Sequence, residues 1–183
     1  RAADPTARIT SPSVLNWDFT CIGCGGYQSG HAWVDDFRTA WRARYPGTEP
    51  DVDLWAIDAY PLDWINLPTV NAQIPIAQVV GLRQYLDAIP SQRGKPILVT
   101  EISLHWGYSP PLIFNASGCG PLPSPSGPYQ TDQVIGYLRN VFNWLDTNAE
   151  SMKIERWFLF ISYEDITRCN NGAYAGLTLF DGP

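Results

Sequence analysis

Short apolar runs alternate with segments of helical periodicity along the whole of this chain. Four runs rich in β-branched and aromatic residues predict strands at 7–14, 52–60, 95–103 and 155–162. Three intervening segments carry apolar residues at helical spacing and predict helices at 30–45, 76–89 and 130–150. The order β-α-β-α-β-α-β is typical of an α/β protein built from parallel (β/α) units.

Polar and aromatic side chains collect where the predicted strands end. They are Asn16-Trp17-Asp18, Asp58-Ala59-Tyr60, Glu101 with His105 and Trp106, and Ser162-Tyr163-Glu164-Asp165. None of these strand ends carries the Gly-rich turn that a doubly wound nucleotide-binding sheet usually has. A (β/α)8 barrel builds its active site from the carboxyl ends of its strands, and this architecture therefore fits better.

Composition narrows the class of protein. A chain of 183 residues that is 45% hydrophobic predicts one folded domain spanning 1–183. The net charge of −6 and the scattered Lys and Arg residues leave no basic stripe, so we expect no nucleic-acid partner. No apolar run is long enough for a membrane span, and we expect no membrane partner. The start lacks both Met and the apolar core of a signal peptide, which indicates a processed product or a piece of something longer.

The four cysteines favour an exported protein. Cys21 and Cys24 have the C-x-x-C spacing of half a zinc site, but a second such pair is absent from the sequence, and we expect no metal. Disulfides in loops are the better interpretation. Cys119 and Cys169 lie in neighbouring βα loops, where a bridge and two free thiols both stay open. Asn115 begins an N-glycosylation sequon, which together with the cysteines favours a secreted or extracytoplasmic location.

Several strings resemble one enzyme family. DVDLWAIDAYPLDW and GKPILVTEISLHWGY resemble strands six and seven of the clan A retaining glycoside hydrolases. ADPTARITSPSV is similar to the clan's strand five, ERWFLFISYED to strand eight, and AGLTLFDGP to the loop that follows. The resemblance covers nearly the whole chain, and KPILVTE is its most specific element. It implies the C-terminal half of a TIM barrel, with strands one to four upstream of Arg1 and the last helix beyond Pro183.

The resemblance also implies a chemistry. In this clan the strand-seven glutamate, here Glu101, is the nucleophile of a double displacement on a β-linked saccharide. Such a mechanism needs two carboxyl groups roughly 5 to 5.5 Å apart. The clan's acid/base glutamate follows an asparagine, and this sequence contains no Asn-Glu dipeptide. We therefore expect the acid/base upstream and little turnover by this chain alone; Glu164 is the alternative partner within the chain.

Six further residues are candidates for substrate binding: Asp58, Tyr60, Trp106, His105, Trp17 and Asn16. Strand alternation predicts that Leu54, Ala56, Asp58 and Tyr60 face the barrel interior while Trp55 and Ile57 face the helices. In the resembled clan a strand-six tyrosine hydrogen-bonds the nucleophile, which implies that role for Tyr60 and would favour the ionised form of the carboxylate.

The other candidates have equally plain structural interpretations. Trp106 offers a flat face for a pyranose ring at the start of a long Pro/Gly-rich loop, or simply packs. His105 donates to a sugar hydroxyl or to a loop carbonyl. Asn16 and Trp17 line the same end of the barrel as Glu101, or Trp17 belongs to the core.

Two functions thus remain at the level of sequence. One is hydrolysis of a β-linked saccharide. The other is a carbohydrate-binding or scaffold protein that keeps a barrel fold without catalysis, because a fold does not dictate a function. Both imply an oligo- or polysaccharide partner and no cofactor.

Overall fold

The computed structural model describes residues 3–18, 28–61, 70–104 and 131–160. Within these ranges the chain forms strands β1 (Val14–Leu15), β2 (Trp55–Ala59), β3 (Ile97–Ile102) and β4 (Ile154–Leu159) and helices α1 (Gly30–Arg44), α2 (Gln73–Asp87) and α3 (Thr131–Asn148). Neighbouring strands all pair in parallel, in the order β1-β2-β3-β4. The predicted α/β fold is confirmed, and its sequential strand order is consistent with part of a β/α barrel.

The helices follow the predicted periodicity, with one difference at the start of α2. This helix begins at Gln73 rather than at residue 76, so that Pro75 lies in its first turn. Proline is tolerated there because the first backbone N–H groups of a helix have no partner within the helix. Helix α1 begins where predicted, because Ser29 accepts a hydrogen bond from the backbone N–H of Ala32 and caps the helix.

Strand β1 is much shorter than the predicted strand 7–14. Upstream of Val14, pairing with β2 is reduced to an isolated bridge between Thr10 and Leu54. Pro12 has no backbone N–H to donate to a ladder. The side chain of Ser11 instead accepts a hydrogen bond from the N–H of Ala56 at 2.9 Å, in place of a backbone carbonyl.

The core lies between the sheet and the helices. Its buried members include Trp55, Ile57 and Ala59 of β2. Leu54, Ala56 and Tyr60 are also buried but do not join this cluster, because strand alternation places them on the opposite side of the sheet. The predicted division of β2 into two faces is thereby confirmed. We call the side away from the helices the inner face.

Strand β3 carries one extra residue near its carboxyl end. Ile57 of β2 pairs with Val99, but the next residue, Asp58, pairs with Glu101, so that Thr100 forms a β-bulge. Strict alternation would put Glu101 on the same face as Val99, toward the helices. The bulge instead brings Thr100 and Glu101 to the inner face together. A strand that packs against helices can therefore end on a carboxylate that faces away from them.

An ion-pair network joins α1, α2 and the segment before β2. Buried Arg38 donates two hydrogen bonds to Glu49, at 2.9 and 3.0 Å, and one to the hydroxyl of Tyr85. Tyr85 in turn donates to Asp35. Burial opposes the charge of Arg38, but the hydrogen bonds to Glu49 and Tyr85 outweigh it and raise its pKa. The same contact with Arg38 lowers the pKa of Glu49. Burial and then the bond to Asp35 raise the pKa of Tyr85 to about 12.

Three expectations concern disulfides, glycosylation and membrane spans. All four cysteines and the sequon at Asn115 lie outside the described residues, so the disulfide bridge and the glycan stay predictions. Among the helices that the structure describes, none is long and apolar enough to cross a membrane.

Candidate active site

The carboxyl ends of β2 and β3 bring three predicted site residues together. The hydroxyl of Tyr60 donates a hydrogen bond to Oε2 of Glu101 at 2.5 Å, and Asp58 is the register partner of Glu101. Tyr60 is only 3% exposed, whereas Glu101 is partly exposed. A hydroxyl-to-carboxylate bond of this length belongs to the strong, charge-assisted class. The hydrogen bond that the family resemblance implied for Tyr60 is present.

Asp58 has a donor of its own from the neighbouring strand. The hydroxyl of Thr100 lies 2.7 Å from Oδ1 of Asp58 and 2.7 Å from the hydroxyl of Ser13. These contacts link β1, β2 and β3 across the inner face. They depend on the bulge, because it adds Thr100 to the face that carries Glu101.

Each of the strands β2 and β3 provides a hydrogen-bond donor to the carboxylate of the other. From β3, Thr100 donates to the carboxylate of Asp58; from the end of β2, Tyr60 donates to the carboxylate of Glu101. Two carboxylates at paired positions of adjacent strands repel each other, which is unfavourable unless each has a hydrogen-bond donor. The arrangement holds both carboxylates on the inner face at the end of the sheet where a β/α barrel binds its substrate.

A buried amide of α2 positions the backbone beside Tyr60. Gln78, which is 1% exposed, donates to the carbonyl of Tyr60 at 2.8 Å and accepts from the N–H of Trp17 at 3.2 Å. The NH2 group and the carbonyl oxygen of the Gln78 side chain both have hydrogen-bond partners inside the protein. Gln78 ties the end of β2 to the segment that follows β1.

Asn16 and Trp17, two further candidates, are both buried. Asn16 is fully buried with a left-handed backbone, φ 54°, which asparagine tolerates better than most residues. Trp17 is 1% exposed, stacks on His31 at 4.8 Å between ring centroids and meets Tyr85 edge-on. Their burial favours packing over contact with a ligand, and a substrate-binding role for either residue stays a prediction.

The remaining candidates fall outside the described residues. His105, Trp106 and the alternative acid Glu164 all belong to this group, so their roles stay predictions.

Sequence reasoning missed three residues that support the site: Ser13, Thr100 and Gln78. The adjacent pair Thr100-Glu101 was a usable signal, because two polar residues in succession at the end of an apolar strand fit a bulge better than strict alternation. For Gln78 the signal was an amide between Ile76 and Val79 on the apolar side of a helix. Nothing in the sequence around Ser13 pointed to it.

The described residues contain no group of three or more His, Cys, Asp or Glu side chains that could hold a metal ion. A surface cavity of about 160 Å³ lies beside β1 and α1, lined by residues such as Val14, Gly30 and Trp33. It does not include Glu101. We therefore locate the site by the paired carboxylates and their donors rather than by this cavity.

Comparison with known families identifies one family for this chain. The profile of the family described as glycosyl hydrolase catalytic core matches residues 2–182. Searches among curated proteins and among solved structures found no match to the chain. The family match includes β2 and β3, whose carboxyl ends carry Asp58, Tyr60 and Glu101. The chain belongs to the glycosyl hydrolase catalytic core family.

Proposed function

We propose that Glu101 is the nucleophile of a glycoside hydrolase that cleaves a β-linked saccharide with retention of configuration. The observation that carries this proposal is the hydrogen bond from Tyr60 to Oε2 of Glu101. It fixes the carboxylate at the carboxyl end of β3, and no described residue donates to the other oxygen, Oε1. Oε1 is then the atom available for attack.

The reaction proceeds in two displacements. Oε1 attacks the anomeric carbon and forms an ester, while the bond to the leaving oxygen breaks and a general acid gives that oxygen a proton. Water then attacks the anomeric carbon and passes a proton to the same group, now a base. The ester bond to Glu101 breaks, and the sugar leaves with its original anomeric configuration.

The general acid/base of this proposal comes from a segment that precedes Arg1. Asp58 accepts a hydrogen bond from a sugar hydroxyl, and His105 and Trp106 complete the binding site. We further propose that the protein is exported and acts on an oligo- or polysaccharide outside the cytoplasm. Without the acid/base, residues 1–183 attack an activated substrate but turn over natural saccharides poorly.

Dinitrophenyl β-glycosides test the nucleophile directly, because dinitrophenolate leaves without a proton. Residues 1–183 are mixed with a panel of these glycosides, and the release of dinitrophenolate is followed on the time scale of a single turnover. We expect a burst of about one equivalent and a glycosyl ester on Glu101 by peptide mass mapping. Glu101→Gln abolishes both, whereas Glu155→Gln, a surface change on β4, preserves them.

Two outcomes would overturn this assignment. A burst of normal size in Glu101→Gln would show that another group attacks. Saccharide binding by the wild-type chain with no release of dinitrophenolate from any glycoside would favour a carbohydrate-binding protein.

The source of the acid/base has a separate test. Residues 1–183 are expressed with and without the upstream coding segment and assayed for steady cleavage of aryl glycosides with poor leaving groups. We expect steady turnover only in the longer form. Equal turnover by the short form would place the acid/base within this chain and favour Glu164 in that role.

A further inference from the structure

Three strands contribute to one chain of hydrogen bonds on the inner face. The hydroxyl of Thr100 lies 2.7 Å from both Ser13 Oγ and Asp58 Oδ1. The carbonyl of Ile57 also lies 3.2 Å from this hydroxyl, but the carboxylate of Asp58 is closer and charged. A carboxylate only accepts hydrogen bonds, so Thr100 donates its single proton to Asp58 and accepts the proton of Ser13.

This chain of bonds uses one oxygen of Asp58 and leaves the other for a ligand. Thr100 occupies Oδ1, and within the described ranges no residue donates to Oδ2. Asp58 is partly exposed and is the register partner of Glu101 on the adjacent strand, where neighbouring backbones lie about 4.8 Å apart. A sugar whose anomeric carbon meets Glu101 therefore has hydroxyl groups within reach of Asp58.

We propose that Thr100 is a positioning residue that directs Oδ2 of Asp58 toward a hydroxyl of the sugar under attack. The proposal rests on the function proposed above for Glu101. Without the Thr100 hydroxyl, repulsion from Glu101 and the attraction of water turn the Asp58 side chain away from the sugar. The bulge in β3 thus supplies a residue that orients the second carboxylate of the site.

The first experiment measures orientation and needs no substrate. The coupling constants between the α and β protons of Asp58 are measured by NMR in the wild-type chain, Thr100→Val and Thr100→Ser. We expect a single side-chain rotamer in the wild type and in Thr100→Ser, and rotamer averaging in Thr100→Val. A single unchanged rotamer in Thr100→Val would overturn the proposal. Thermal unfolding of the three proteins verifies that all are folded.

The second experiment measures the consequence for the sugar. The dependence of the dinitrophenolate burst on glycoside concentration separates binding from the first chemical step. We expect Thr100→Val to lose about tenfold in the ratio of rate constant to dissociation constant, as the loss of a hydrogen bond to a charged group predicts. Thr100→Ser restores the wild-type ratio. Ser13→Ala, which keeps the bond from Thr100 to Asp58, has a smaller effect.

A double variant completes the test. If Thr100 acts through Asp58, Thr100→Val adds nothing to the loss already caused by Asp58→Asn. Additive losses would mean that Thr100 acts independently of Asp58 and would overturn the proposal. If the wild-type chain releases dinitrophenolate from no glycoside, the proposed function fails, while the NMR measurement still decides whether Thr100 orients Asp58.

Discussion

The hydroxyl of Tyr60 contacts one oxygen of Glu101 at 2.5 Å, and this contact orients the carboxylate on the inner face. Asp58, Tyr60 and Glu101 were each recognisable in the sequence, because all three end apolar strands. The hydrogen bond between Tyr60 and Glu101 was expected from the family resemblance. The donor to Asp58 was not, because strict alternation gave no reason to place Thr100 and Glu101 on one face.

Tyr60→Phe removes this donor while keeping the ring. We expect the first-turnover rate constant with a dinitrophenyl glycoside to fall about 10- to 100-fold, since Glu101 loses a charge-assisted hydrogen bond that orients it. Tyr137→Phe is the matched control, because the Tyr137 hydroxyl is also buried but donates to the carbonyl of Ser103. Tyr137→Phe should lower the stability of the protein without changing the first-turnover rate constant. Equal rates in wild type and Tyr60→Phe would contradict the role of Tyr60.

Gln78→Leu removes both hydrogen bonds of a buried amide. The N–H of Trp17 and the carbonyl of Tyr60 then lose their bonds to this side chain, and we expect the free energy of unfolding to fall by about 2 to 4 kcal/mol. Gln84→Leu, on the exposed side of the same helix, is the control and should change little. Chemical denaturation measures both. Similar small effects in the two variants would show that the Gln78 bonds contribute little.

At the scale of elements, helical periodicity was the more reliable signal and strand alternation the less reliable. Helices α1, α2 and α3 begin and end within a few residues of their predicted bounds. Strand β1 is far shorter than the predicted strand 7–14. The apolar and β-branched pattern continues through Pro12, but backbone pairing with β2 does not. The adjacent polar pair Thr100-Glu101 was the one local sign of the bulge in β3, and it could not fix the register, which depends on the neighbouring strands.

The packing of α2 against the segment after β1 yields a prediction for Gly81. A β-carbon there would lie 2.7 Å from Trp17 Cδ1, closer than van der Waals contact allows. We expect Gly81→Ala to destabilise the protein by about 1 to 3 kcal/mol through overpacking. Gly136→Ala in α3 is the opposite control. Its β-carbon meets nothing within 4 Å, and it should stabilise the protein by about 0.5 to 1 kcal/mol.

Thermal unfolding of the two glycine variants separates these expectations by sign. A stabilising Gly81→Ala would show that Trp17 can move away from α2 at no cost.

At the scale of the whole molecule, the stability of the described part depends on links between elements that are distant in sequence. The network around Arg38 and Glu49 joins α1, α2 and the segment before β2. Because Arg38 lowers the pKa of Glu49 below its ordinary value of 4.5, the bond stabilises the folded state above that pH. Its contribution is lost as the pH falls through the lowered pKa.

Glu49→Gln should therefore lower the free energy of unfolding at pH 7 by about 1 to 2 kcal/mol, a figure that allows for screening by solvent. The difference from wild type should shrink below pH 4.5, where Glu49 becomes protonated in the unfolded state and then in the folded state. Glu155→Gln is the matched control. It removes a similar two-bond contact with Arg8 that is more exposed to solvent than the contact between Arg38 and Glu49, and its effect should be smaller. Denaturation at several pH values measures both variants, and a pH-independent difference would contradict the assignment.

The order of elements, the class of fold and the carboxylate at the end of β3 were all determined by the sequence itself. Apolar periodicity is local, and it reports which face of an element is buried and where polar residues interrupt that face. These signals placed Glu101, Asp58 and Tyr60 at the strand ends, whereas the resemblance to glycoside hydrolases rested on strings such as KPILVTE.

Only the tertiary structure decided which of these residues work together. The bulge at Thr100, the hydrogen bonds across β1, β2 and β3, and the burial of Trp17 between helices all depend on the register and packing of segments far apart in the sequence. No local pattern contains that information, because a strand acquires its register only from the strand beside it. For Glu101, that register places on the inner face a carboxylate that strict alternation from Val99 would point toward the helices, with Tyr60 as its donor.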